Sequence, residues 1–171
     1  MSGVEVVILM GSSSDWKHLK GAVAVLEDLG ISFRVHVSSA HRTPERTIEL
    51  VRRSEAQGCC AFICAAGMAA HLAGVVAAHT IRPVLGVPLP GGVMDGMDAL
   101  LATVQMPSGI PVATFAVGPA GARNAAFFAA QLIASLRPDV AEGLAARRQA
   151  DAEQVEAAER EVVAAIEGDN Q

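Results

Sequence analysis

The sequence predicts an α/β protein in which five parallel strands form one sheet with helices on both faces. Strand-like and helix-like segments alternate five times between Val4 and Leu136. The strand-like segments are short and nearly unbroken apolar runs, the pattern of strands buried on both faces. Of all residues 51% are hydrophobic but only 4% aromatic, so Ala, Val, Leu and Gly carry the apolar fraction. Such small side chains suit helices packed closely on a parallel sheet. A chain of 171 residues is long enough to bury about two-thirds of its unfolded surface as one domain.

Val4–Met10 reads as the first strand, interrupted only by Glu5. Gly11–Asp15 is a turn in which Ser14 or Asp15 can cap the next helix. Trp16–Leu29 carries a helical stripe of Leu19, Ala22, Val23, Val25 and Leu26, ended by Gly30. Ile31–Val37 alternates as a second strand. Ser38–Pro44 is a loop with Thr43 at an N-cap and Pro44 in the first helical turn. Glu45–Gln57 is the second helix, closed by Gly58. Cys60–Ala66 is the third strand, followed by a Gly67–Gly74 turn and a short helix to about His79. Pro83–Val87 is the fourth strand, Pro88–Gly96 a loop, and Met97–Gln105 a helix stopped by Pro107. Pro111–Val117 is the fifth strand, and Gly118–Gly121 turns into a helix over Ala122–Leu136.

Parallel strands joined by helical, right-handed crossovers make a three-layer α/β/α sandwich of the flavodoxin-like type. Residues 1–138 are the expected domain, and 139–171 a C-terminal helical extension. Within the extension, Asp139–Glu167 reads as one long helix whose apolar residues are mostly Ala and Val. These are too small to build a core of their own, so the helix is either solvated or, as expected here, packed on a neighbouring subunit.

Composition excludes several functions. A formal charge of −5 argues against nucleic-acid binding, and the absence of Tyr with a single Trp leaves few platforms for stacking bases. No basic segment opens the chain, and Val6–Met10 is too short for a secretory signal. Cys59–His79 is long enough to span a bilayer and lacks Lys, Arg, Asp and Glu, but Gly67, His71 and Gly74 break it, so no membrane span is expected. Cys59, Cys60 and Cys64 have no Cys-x-x-Cys spacing and read as reduced core residues of a cytoplasmic protein. His36, His41, His71 and His79 lie on separate elements with no His-x-x-x-His pair on a helix, so no metal is expected. No Gly-x-Ser-x-Gly elbow supports a serine hydrolase.

In an open parallel sheet, ligands bind beyond the carboxyl ends of the strands. Three polar or glycine-rich loops follow strands one, two and three. Gly11–Asp15 offers serine hydroxyls at a helix N-terminus, suited either to capping or to a phosphate. Ser38–Pro44 places His41 beside Arg42: a surface pair, or a proton carrier with an anion-binding guanidinium. Gly67–Gly74 is small and apolar around His71, which can cap the next helix, bond a backbone group or join the chemistry.

Together these loops resemble class I PurE, the N5-carboxyaminoimidazole ribonucleotide mutases. The likeness rests on Gly11-Ser-Ser-Ser-Asp-Trp16, Ser39-Ala-His-Arg-Thr-Pro44 and Ala69-Ala-His-Leu72. It continues in order through Pro83–Pro88, Gly96–Asp98, Val104–Pro107, Gly109–Ala113 and Gly121–Ala126. The resemblance implies interconversion of N5-carboxyaminoimidazole ribonucleotide and 4-carboxyaminoimidazole ribonucleotide in purine (IMP) biosynthesis, without metal or organic cofactor. It implies Ser12, Ser14 and Arg42 at the substrate phosphate and Asp15 at the ribose hydroxyls. Ser39 and Ala40 would line the base, and Gly67, Ala69, Ala70, His71 and Leu72 would surround the migrating carboxylate. His41 would be the proton carrier, the partner a small ribonucleotide, and the assembly a homo-octamer with sites between subunits. This chain departs from the family where Ala65 and Met68 replace Gly, Ala73 replaces Pro, and Ala99 and Ala102 replace Ser. The alternatives are a class II aminoimidazole ribonucleotide carboxylase that uses free CO2, against which His41-Arg42 and Ala70-His71 speak, and a non-catalytic nucleotide-binding module.

Overall fold

A strand with apolar side chains at every position has no polar face to give to water, and here the central strands are covered on both sides. The computed structural model describes residues 3–169. Five strands form one sheet: β1 (Val6–Met10), β2 (Phe33–Val37), β3 (Ala61–Gly67), β4 (Val84–Leu89) and β5 (Ala113–Thr114). Their order is β2-β1-β3-β4-β5, and every pairing is parallel. The register sets Val6 beside Phe33 and Ala61, and Met10 beside Val37 and Ala65. Val6, Ile8 and Met10 of β1, with Ile63 and Leu85, face one core, while Val7 and Leu9, with Phe62 and Cys64, face the other. Each fully buried Leu, Ile or Phe contributes about 1.5–3 kcal/mol to folding.

The helices close both faces: α1 (Trp16–Asp28), α2 (Pro44–Ala56), α3 (Leu72–Ala77), α4 (Met97–Val104), α5 (Pro119–Ala134) and α6 (Pro138–Asp169). Leu19, Ala22, Val25 and Leu26 of α1 and the stripe Ala122, Ala125, Ala126, Ala129 and Ala130 of α5 cover the first core. Leu50 and Val51 of α2 and Leu72, Ala73 and Val76 of α3 cover the second. The alanine stripe lets α5 lie close to its neighbours. Gly121 shows how close, since a Cβ there would sit 1.7 Å from the Ala116 carbonyl oxygen. Buried Cys59 and Cys64 are free thiols, and burial pushes Cys59 up to about 11.

Two expectations need correction. The fifth strand, expected over Pro111–Val117, shrinks to Ala113–Thr114. Its partner β4 carries Pro88, which has no N–H for the ladder, and beyond the strand Phe115 N–H donates to the Gly86 carbonyl (2.9 Å) and Gly118 N–H to the Pro88 carbonyl (2.8 Å). Asp15 stands at the N-cap position of α1, as expected, but its side chain caps no α1 amide; the side-chain cap is made one turn earlier by Ser12. Ser12 precedes a 3-10 turn over Ser13–Asp15 that runs directly into α1. The apolar run Cys59–His79 divides into β3 and α3, and no helix among the described residues is long and apolar enough to cross a membrane.

The terminal helix forms as expected, and its start belongs to the body. Val140 is fully buried, and Arg147 lies 5.9 Å from the Phe127 ring centroid. Of the extension expected over 139–171, positions 170 and 171 lie outside the described residues, as do positions 1 and 2. Arg137 ties the junction of α5 and α6 to the first strand. It donates to both Glu5 carboxylate oxygens (3.1 Å each) and pairs with Asp139. Burial works to raise the Glu5 carboxyl, but the Ser32 N–H, Arg137 and the Ser32 hydroxyl outweigh it and hold the carboxyl below its usual value. A lowered folded-state pKa contributes stability above the ordinary carboxylate range and loses it as pH falls through the folded value. Glu5→Gln is therefore expected to lower the melting temperature at neutral pH by about 3 °C. Thermal melts carried into acid should show this difference closing.

Candidate active site

The strand order reverses at β1, whose crossovers lead to opposite sides, and the loops leaving β1 and β3 part there. A cavity of about 550 Å³ opens at that edge. Ser12, Ser14 and Asp15 line it from the loop after β1, with Ser39, Ala40, His41 and Arg42 from the loop after β2. Gly67, Met68, Ala69, His71 and Leu72 line it from the end of β3 onward. Three turns far apart in sequence thus meet as expected. Ala70 alone among the expected site residues does not line the cavity and is buried behind its wall.

The first turn holds its own shape. Ser12 Oγ accepts from Ser14 N–H (3.3 Å), and Asp15 Oδ2 accepts from Ser12 N–H (3.0 Å), a capping box. Ser14 Oγ donates to Ser12 Oγ (2.9 Å), gathering hydroxyls at the start of a helical segment, where partial positive charge favours an anion. The second turn is braced from below. Ser38 is buried and shares a 2.8 Å bond with Thr47 of α2. Thr43 occupies the N-cap position without capping α2. Its hydroxyl accepts from Ser39 N–H (3.0 Å) and donates to the Ser39 carbonyl (3.1 Å), so it closes the loop on itself. This bracing holds His41 and Arg42 outward over the cavity. The Arg42 guanidinium makes no hydrogen bond or ion pair among the described residues, so it is available to an anion.

The two histidines meet. His41 Nε2 and His71 Nδ1 lie 2.8 Å apart, with the ring planes at 89°. His71 therefore neither caps α3 nor bonds the backbone through its ring, the readings its position suggested. Its main chain stays in the tight turn, with His71 N–H donating to the Ala69 carbonyl (2.8 Å). The imidazole–imidazole bond needs one ring to donate and the other to accept. It survives when the pair carries two or three protons on its four ring nitrogens, and breaks when both rings are imidazolium. Such a pair can take up or release one proton while keeping its geometry.

A fourth wall was not apparent in the sequence. Leu89, Pro90, Gly91 and Gly92 close the cavity from the end of β4, a stretch that reads only as a loop. The signal was available, since this loop also leaves a strand at its carboxyl end, next to β3. Of the five positions that depart from the family, Ala65, Ala73 and Ala99 are buried and, like Ala102, do not line the cavity. Met68 does. Its φ of +56° is left-handed, and its side chain is 63% exposed. Among the described residues no group of three or more His, Cys, Asp or Glu could hold a metal ion.

Comparison with known proteins shows what this chain is similar to. A family model described as AIR carboxylase matches residues 5–154. The N5-carboxyaminoimidazole ribonucleotide mutase of Brucella melitensis is 48% identical over 152 residues, covering 89% of this chain and 94% of that protein. The mutase of the same name from Escherichia coli K12 is 44% identical over 150 residues, 88% of this chain and 89% of that one. Among solved structures, Treponema denticola PurE superposes with a TM-score of 0.79 at 29% identity, over 88% of this chain and 92% of that one.

The left-handed backbone at Met68 costs roughly 1–2 kcal/mol, while glycine there adds about 0.5–1 kcal/mol of unfolded-state freedom. Met68→Gly is expected to raise stability by about 0.5–1 kcal/mol, measured by urea denaturation.

Proposed function

Because this chain belongs to the AIR carboxylase family, we propose that it is an N5-carboxyaminoimidazole ribonucleotide mutase of purine biosynthesis, an isomerase that moves a carboxylate from the exocyclic nitrogen to the ring carbon. The observation that carries the reading is the His41–His71 pair standing over the same cavity as the Ser12, Ser14 and Arg42 cluster. Ser12, Ser14 and Arg42 bind the phosphate, Asp15 the ribose hydroxyls, and Ser39 and Ala40 the base. Gly67, Ala69, Ala70, His71 and Leu72 surround the carboxylate, with Ala70 acting from behind the wall.

His41 moves the protons. As imidazolium it protonates the carbamate nitrogen. The N–C bond then breaks, its electron pair stays on nitrogen, and CO2 is released into the cavity. The ring carbon, made electron-rich by the amino group, attacks that CO2 and forms the C–C bond. Neutral His41 then removes the hydrogen left on that carbon. One proton enters and one leaves, so the product is an isomer of the substrate and His41 returns to its starting state. His71, bonded to His41, orients the ring and shares its proton. No added electron sink is needed, because the aminoimidazole supplies the electrons.

The assembly is a homo-octamer. Met97, Leu101 and Val104 leave an exposed apolar stripe along α4, which supports burial against another subunit. The distal part of α6, exposed at Val155, Val162 and Val163, packs on a neighbouring subunit in the same way. A cytoplasmic location suits the three free thiols.

The test is direct turnover. Pure protein given synthetic N5-carboxyaminoimidazole ribonucleotide without bicarbonate should form the 4-carboxy product at once. A carboxylase that needs free CO2 would lag behind spontaneous decarboxylation. His41→Asn should lower kcat about 10²–10⁴-fold, and full activity in that variant would remove the assignment. Sedimentation of the wild type should give eight chains, and charge placed at Leu101 should shift the assembly to smaller species.

A further inference from the structure

Resting on the mutase reading, we propose that Met68 is the lid of the site, the side chain that keeps released CO2 in the cavity and bulk water out. Its backbone is left-handed at φ +56°, a conformation in which a side chain is strained. No burial offsets that strain, since the residue is 63% exposed. Strain held without packing gain, on a cavity wall, marks a position kept for what its side chain does there.

The geometry shows what that is. Met68 leaves the end of β3 two residues before Ala70, on the turn that carries His71. Its side chain lies beside Gly92, which follows β4 and lines the same cavity. A Cβ on Gly92 would lie 3.2 Å from Met68 Cγ. Gly92 thus makes the room into which the methionine leans, and its own φ of +72° suits glycine. The two walls of the cavity come close where Met68 Cγ lies beside Gly92. Methionine is flexible and apolar, able to swing aside for a ribonucleotide and return over it. An apolar cover serves this reaction in particular. Between cleavage of the N–C bond and formation of the C–C bond the carboxyl exists as neutral CO2, which no charge in the site can hold. Only walls retain it.

The test measures leakage separately from rate. The full-length protein is given unlabelled N5-carboxy substrate in buffer containing carbon-13 bicarbonate and carbonic anhydrase, and the labelled fraction of the 4-carboxy product is read by mass spectrometry. Wild type should retain its own CO2 and incorporate little label beyond an enzyme-free control. Met68→Gly, which relieves the backbone and removes the cover, should raise the labelled fraction several-fold. Met68→Leu, which restores an apolar cover of similar length, should stay near wild type. Equal labelled fractions in wild type and Met68→Gly would overturn the lid while leaving the mutase reading in place. A Met68→Gly protein that changes its assembly size without changing the labelled fraction would also overturn it, marking Met68 as an interface residue. Failure of wild type to form product would overturn the mutase reading, and the lid with it.

Discussion

A parallel sheet buried on both faces leaves its strand ends as the place for chemistry, and this constraint shapes the whole molecule. The side chains of β1, β3 and β4 are committed to two cores, so no polar group on them can serve a ligand. Catalytic groups must leave from the ends, and parallel strands deliver their carboxyl ends to one edge. Four turns gather there. The reversal of strand order at β1 sends successive crossovers apart and opens the cavity between them.

Bracing from below makes those turns precise enough to act. The Ser12–Asp15 capping box, the Thr43–Ser39 closure and the buried Ser38–Thr47 bond satisfy the polar groups of each turn internally. Groups satisfied in this way need not reorganise when a ligand arrives, and preorganisation of that kind lowers the cost of binding and of transition-state stabilisation. What stays uncommitted is the Arg42 guanidinium and a histidine pair whose bond tolerates the gain or loss of one proton. The polar interactions of the fold hold still the turns that carry the Arg42 guanidinium and the histidine pair.

Small side chains serve packing and chemistry alike. The alanine face of α5 and the absent Cβ of Gly121 bring helix and loop backbone together. Gly and Ala also supply part of the cavity wall, at Ala40, Gly67, Ala69, Gly91 and Gly92, and among them Met68 carries a long side chain on a left-handed backbone. The left-handed turn that glycine would adopt freely is here imposed on a residue with a side chain, and that side chain lies beside Gly92 of the facing wall.

The sequence by itself determined the layers, the order of elements and the residues of the first three turns, because period-two and period-3.6 apolar patterns and Gly, Pro and Ser punctuation are local signals. The long terminal helix was legible for the same reason. Where a feature depended on a partner strand or loop, the sequence was silent. The short β5 follows from Pro88 on the neighbouring strand, and Thr43 turns to Ser39 rather than to its own helix. The site divides along the same line. Residue types and their placement after strands pointed to the three turns, and the resemblance to class I PurE singled out Ser12, Asp15, His41 and Arg42 within them. The bond between His41 and His71, the wall from Leu89 to Gly92 and the approach of Met68 to Gly92 joined residues 24 to 30 positions apart or on different strands, and only the sheet order brought them together. Local propensity is written residue by residue, whereas proximity across a sheet is set by how strands pair, which no single segment encodes.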